Sequence, residues 1–140
     1  MKILPALFLG AVAFAAPVIA GVDPGNWEFT VDVSIAENNA STGPVVRTRC
    51  ITEEEARDPQ KVLAETGQSG CEFTDSQDTG SEYTFKVQCS GGRIPVHGSG
   101  HINYTAQTMK GVIDLIAEQP SLRITTHSSV SARRLGPCNS

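Results

Sequence analysis

The residues able to do chemistry are few and widely spaced. Cys50, Cys71, Cys89 and Cys138 are the only cysteines of the 140-residue chain, and His97, His101 and His127 the only histidines. No two cysteines form a CxxC pair and no histidine lies beside a cysteine, so neither a zinc site nor a dithiol redox motif is indicated. His97 and His101 fall on one face of an expected strand. At about 3.3 Å per residue they stand roughly 13 Å apart, too far to share one ion. His127, on another strand, is the only candidate partner for either, and surface or rim positions are the simpler reading for all three.

Nucleophilic chemistry has no better footing. There is no G-x-S-x-G elbow. Ser99 sits in Gly98-Ser99-Gly100, where a glycine-flanked serine on a strand reads as a bulge or tight bend. The acidic run Glu53-Glu54-Glu55 does not present one face of a helix and is accounted for by helix capping. Arg133-Arg134 reads as a solvated strand end, with Arg134 bonding local carbonyls. Trp27, the sole tryptophan, reads as a core anchor at the start of the first strand. No catalytic residue, metal ligand or cofactor is therefore assigned, and the chain is read as non-enzymatic.

The elements that carry these residues begin after an N-terminal segment of a different kind. Lys2 precedes the apolar run Ile3 to Ala20, which ends in small residues. This reads as a secretory signal peptide over 1–20, leaving one domain over 21–140. Pro5 and Pro17 argue against a retained membrane anchor, and no cysteine near the cleavage point could carry a lipid. Lys2 is the only charge in the first twenty residues, so the rest carries 10 basic against 15 acidic side chains, a net −5. That balance excludes an electrostatic attraction to nucleic acid or an anionic membrane. Four cysteines in an exported chain are expected to pair in an oxidising, periplasmic or extracellular, compartment.

Strand periodicity dominates the remainder. Trp27, Phe29, Val31, Val33 and Ile35 alternate with polar residues over nine positions. Asn38 to Pro44 is turn-rich, and Val45 to Ile51 forms a second strand. Thr52-Glu53-Glu54-Glu55 then has the form of a capping box, opening one short helix that Asp58-Pro59 ends. Gln60 to Glu65 allows one more helical turn. Beyond Cys71, alternating runs over Cys71–Gln77, Tyr83–Cys89, Ile94–Ala106, Met109–Leu115 and Leu122–Ala132 are joined by short polar turns. About seven strands and one short helix predict a mainly β, antiparallel meander forming a small barrel, with a two-sheet sandwich as the alternative.

Hairpin geometry selects the disulfides. With Thr79-Gly80-Ser81 as a three-residue loop, Asp78 faces Glu82 and opposed residue numbers sum to 160. Cys71 and Cys89 satisfy that sum and are expected to pair, leaving Cys50 with Cys138.

Three motifs together resemble a known family. Pro24-Gly25-Asn26-Trp27-Glu28, Cys50-Ile51-Thr52-Glu53-Glu54-Glu55-Ala56 and Arg134-Leu135-Gly136-Pro137-Cys138, in that order, resemble the secreted bacterial domain of unknown function 3617. The resemblance implies export from a Gram-negative bacterium, a small mostly β domain and paired cysteines, and it supplies no catalytic residue. Separately, Gly98-Ser99-Gly100 with Tyr104 resembles the loop that small disulfide-bonded lysozyme inhibitors insert into their targets.

The function expected is binding of a small apolar ligand in a barrel mouth, or of a periplasmic protein partner. An inhibitor of a cell-wall enzyme is the alternative, and a hydrolase with an unrecognised site a further one. About eight strands enclose an interior just wide enough for side chains or one small ligand. Inward-facing Gly111, Ser128 or Ala132 would leave room, whereas Phe29, Phe85 and Ile113 would fill it. A fully packed interior would favour the protein partner.

Overall fold

A computed structural model describes residues 21–64 and 70–139. The expected signal peptide lies outside the described residues. The strands are β1 (Gly25–Ile35), β2 (Ala40–Ser41), β3 (Val45–Ile51), β4 (Cys71–Asp78), β5 (Glu82–Cys89), β6 (Val96–Tyr104), β7 (Thr108–Gln119) and β8 (Leu122–Gly136). Two short helices, α1 (Glu53–Ala56) and α2 (Pro59–Ala64), connect β3 to β4. The turn-rich segment after β1 thus holds a two-residue strand, and a second helix follows the one expected. Its start is set by Asp58, whose carboxylate accepts from the Gln60 amide at 3.0 Å, with Pro59 in the first turn.

All eight strands belong to one antiparallel sheet, in the order β2-β1-β8-β7-β6-β5-β4, with β3 also paired to β1. The expected meander is present from β4 to β8, and β8 returns to pair along the whole of β1. The sheet does not close, so the barrel expectation is corrected to a single open sheet. Two features blunt the edges that would have to meet. On β3, Arg47 and Arg49 pair with Phe29 and Trp27 and so share the face that the apolar residues of β1 occupy. Inward charge on an edge strand opposes further pairing. On β4, the ladder breaks between Thr74 and Gln77, where Asp75 adopts φ +49°.

That break also corrects the expected hairpin. Asp78 faces Tyr83, not Glu82, so the tip is one residue longer than a three-residue loop. The irregularity at Asp75 then restores the 160 register, and Cys71 lies opposite Cys89. The disulfides are Cys71–Cys89 and Cys50–Cys138.

The register divides the sheet into two chemically distinct faces. Tyr104, Met109, Ala132 and Phe29 are opposed across four neighbouring strands. Tyr83, Ile102, Gly111, Val130 and Val31 form the next row, and Phe85, Gly100, Ile113, Ser128 and Val33 the one after. Phe73, Val87, Gly98, Leu115 and Thr126 follow. Residues two apart along each strand share a face, so all these rows lie on the same side. The other side carries rows such as Lys86, Ser99, Asp114, His127 and Ser34 and is exposed to water. Ala56, Val62 and Leu63 of the helices join Trp27, Ile51, Tyr83, Tyr104 and Met109 in the buried core. The helices therefore cover one end of the apolar face.

Candidate functional site

The apolar face is packed at one end and hollow at the other. Where the helices meet Tyr83, Ile102, Tyr104 and Met109, only a void of about 20 Å³ remains. Leu115, Thr126 and Val96 at the far end are only half-buried, while Val87 and Cys89 of β5 stay buried. Between these ends lies a cavity of about 550 Å³. Clefts of roughly 300–1,000 Å³ are the usual size for small-molecule sites.

The cavity wall follows from the strand pattern. β1 contributes Phe29, Val31 and Val33; β5 contributes Phe85, Val87 and Cys89; β7 contributes Ile113 and Leu115. β4 and β6 add Phe73, the Cys71 end of the disulfide and Val96, while β8 adds Thr126, Ser128 and Val130. Among the described residues, Leu63 of α2 and Gly70 are the lining residues outside the sheet. Among the described residues no Lys, Arg, His, Asp or Glu lines it. Gly98 and Gly100 leave the middle of β6 without side chains on this face. A Cβ on Gly100 would come within 2.2 Å of the Phe85 ring, whose Cζ end occupies that position. A Cβ on Gly98 would fall 1.9 Å from the Asp114 carbonyl oxygen. The glycines around Ser99 thus serve close strand approach; they lie mid-strand between β5 and β7 in an unbroken register, so the bulge or tight bend expected there is absent. No loop is formed there, which removes the basis for likening these residues to an inhibitory loop.

Of the residues expected to leave room, Ser128 lines the cavity, Ala132 is buried in the packed end, and Gly111 is covered by Ile102. Phe29, Phe85 and Ile113 shape the wall without filling the interior.

The titratable groups lie elsewhere. All three histidines are on the polar face. His101 pairs with Glu82 at 3.3 Å, and β7 separates it from His127. No group of three or more metal-ligating side chains occurs among the described residues. His127 Nδ1 meets Asp114 Oδ1 at 2.5 Å, and Ser34 lies opposite His127 on β1. An acid, a base and a hydroxyl thus fall in one row, but the Ser34 hydroxyl donates to the His127 backbone carbonyl at 3.3 Å. The His127 and Asp114 side chains are about half exposed, on an open face without a cleft. This arrangement ties β1, β8 and β7 together.

Two tyrosines mark the packed end. Tyr104 donates its phenol to Asp78 Oδ1 at 2.5 Å, and Tyr83 donates to or accepts from Ser76 Oγ at 3.2 Å. Burial raises both phenols above their ordinary value, and the hydrogen bond to Asp78 raises Tyr104 further. The Glu55 carboxyl is lowered, chiefly by the Thr52 backbone N–H and also by Arg49. Arg49 itself reaches Glu55 Oε1 at 3.2 Å and the Val62 carbonyl at 2.8 Å, with its guanidinium over the Phe29 ring.

The three sequence motifs converge on a single corner. Asn26 pairs with Cys50 on one side and with Gly136 on the other, and Cys50 is bonded to Cys138. Gly25 has φ +150°, and a Cβ there would lie 2.4 Å from the Gly136 carbonyl oxygen. Arg134 Nε donates to the Pro24 carbonyl at 2.9 Å, and Trp27, fully buried, donates to the Asp23 carbonyl at 2.9 Å. The motifs clamp the first strand to the last. A family model matches residues 22–138. The chain belongs to DUF3617, described as protein of unknown function. No curated protein and no solved structure matches it. For a DUF3617 domain the corner therefore has a structural explanation, while the hollow lies at the opposite end of the sheet face.

Proposed function

We propose that this DUF3617 chain is an exported, non-enzymatic module that binds a small apolar ligand in the hollow of its sheet. The observation that carries the reading is the cavity of about 550 Å³, lined among the described residues by no charged side chain. Contact of apolar surface with water costs roughly 25 cal/mol per Å², so an apolar occupant is favoured. The Lys2-led apolar segment and the two disulfides support export to an oxidising compartment.

The test is direct binding of the neutral fluorophore N-phenyl-1-naphthylamine to the oxidised protein. Binding with micromolar affinity is expected. Ile113→Trp places an indole in the middle of the wall and is expected to weaken it at least about tenfold, with far-UV circular dichroism checking the fold. Absence of binding, or equal binding by the variant, would refute the site.

A protein partner is the second reading. The outer edge of β3 has no strand partner among the described residues, and Val45 and Val46 there are 45% and 58% exposed. An unpaired edge is a template for an added strand.

A further inference from the structure

Two hydroxyls interrupt an otherwise apolar wall. Thr126 and Ser128 alternate on β8, so they share the cavity face about 6.6 Å apart along the strand. Both are half-buried, and neither side chain has a hydrogen-bond partner among the described residues. They lie in the two rows nearer the open end, whereas the row toward the core ends in Val130 and Val31. A hydroxyl both donates and accepts, so it can serve an alcohol or an ester carbonyl equally well.

The same wall is hostile to an ion. No cation lines it. Arg49, stacked on Phe29 at the packed end, is engaged by Glu55 and the Val62 carbonyl, and Arg47 is exposed to solvent. A carboxylate drawn into the hollow would lose hydration without gaining an opposite charge. Resting on the apolar-site reading above, we propose that the ligand is a single-chain amphiphile whose polar group is uncharged, an alcohol or ester, held by the Thr126 and Ser128 hydroxyls.

Displacement of bound N-phenyl-1-naphthylamine by decanol, decanoate and 1-chlorodecane tests this at neutral pH. Chlorodecane matches the shape of decanol but lacks its hydroxyl. Decanol is expected to displace the probe about tenfold more tightly than either competitor. In the Thr126→Val/Ser128→Ala double variant, decanol and chlorodecane should become equal. That ratio is insensitive to a uniform loss of folded protein. Equal binding of decanol and decanoate by the natural chain, or an unchanged decanol-to-chlorodecane ratio in the variant, overturns the assignment while the probe still binds. Failure of the probe to bind the natural chain removes the apolar site itself, and the assignment with it.

Discussion

Tyr104 shows how one side chain fastens the packed end. Its ring is buried beside Met109, and its phenol reaches across to Asp78 on β4, an exposed carboxylate that also accepts from the Gly80 amide. Burial and this hydrogen bond keep the phenol protonated above its ordinary range. In the unfolded chain the same phenol ionises near pH 10. The stabilising term is therefore complete below about pH 10 and is lost as pH rises beyond it, because the unfolded state sheds its proton first. Tyr104→Phe is expected to cost about 1 kcal/mol at neutral pH. The gap between the two proteins should narrow by about pH 10.5, as read from urea midpoints. A gap that stayed constant across that range would show that the phenol does not titrate with folding.

At the scale of elements, α1 is four residues long and depends on its cap. The Thr52 hydroxyl accepts from the Glu55 amide at 3.2 Å, and Glu55 Oε2 accepts from the Thr52 amide at 2.8 Å. Thr52→Ala is expected to cost about 1 kcal/mol. Glu55 is held below its ordinary range, so its contribution is present above about pH 4.5 and fades as pH falls. Glu55→Gln should thus be less stable than the natural chain at neutral pH and converge with it toward about pH 3 in the same urea titration. This element was legible in advance because a capping box is a local pattern whose partners lie three residues apart. The alternating strands and the apolar face were legible for the same reason. The open edge was not, since it depends on how β3 and β4, far apart in sequence, meet or fail to meet. Nor was the irregularity at Asp75, a local φ of +49° that no residue type there announces. The hollow followed neither from Gly98 nor from Gly100 alone. It needed the register that sets Phe85 over Gly100 and Ser128 opposite Ile113.

For the whole molecule, an unclosed sheet must hold its edges by other means. The two disulfides differ in what they hold. Cys71–Cys89 closes a hairpin, 18 residues apart, whose strands already pair along their length. Cys50–Cys138 joins residues 88 apart and ties the tail after β8 to edge strand β3, which among the described residues is laddered to β1 alone. Chain entropy assigns about 3 kcal/mol to the shorter loop and about 4.6 to the longer. Cys50→Ser/Cys138→Ser should therefore lose more stability than Cys71→Ser/Cys89→Ser, by about 1–2 kcal/mol in urea unfolding. The ligand site gives the opposite ranking. Cys71 and Cys89 line the hollow, whereas Cys50 and Cys138 belong to the distant corner. The Cys71/Cys89 variant, although the more stable, should bind N-phenyl-1-naphthylamine the more weakly. A chain in which stability and probe binding fell together in both variants would place the apolar site outside this hollow.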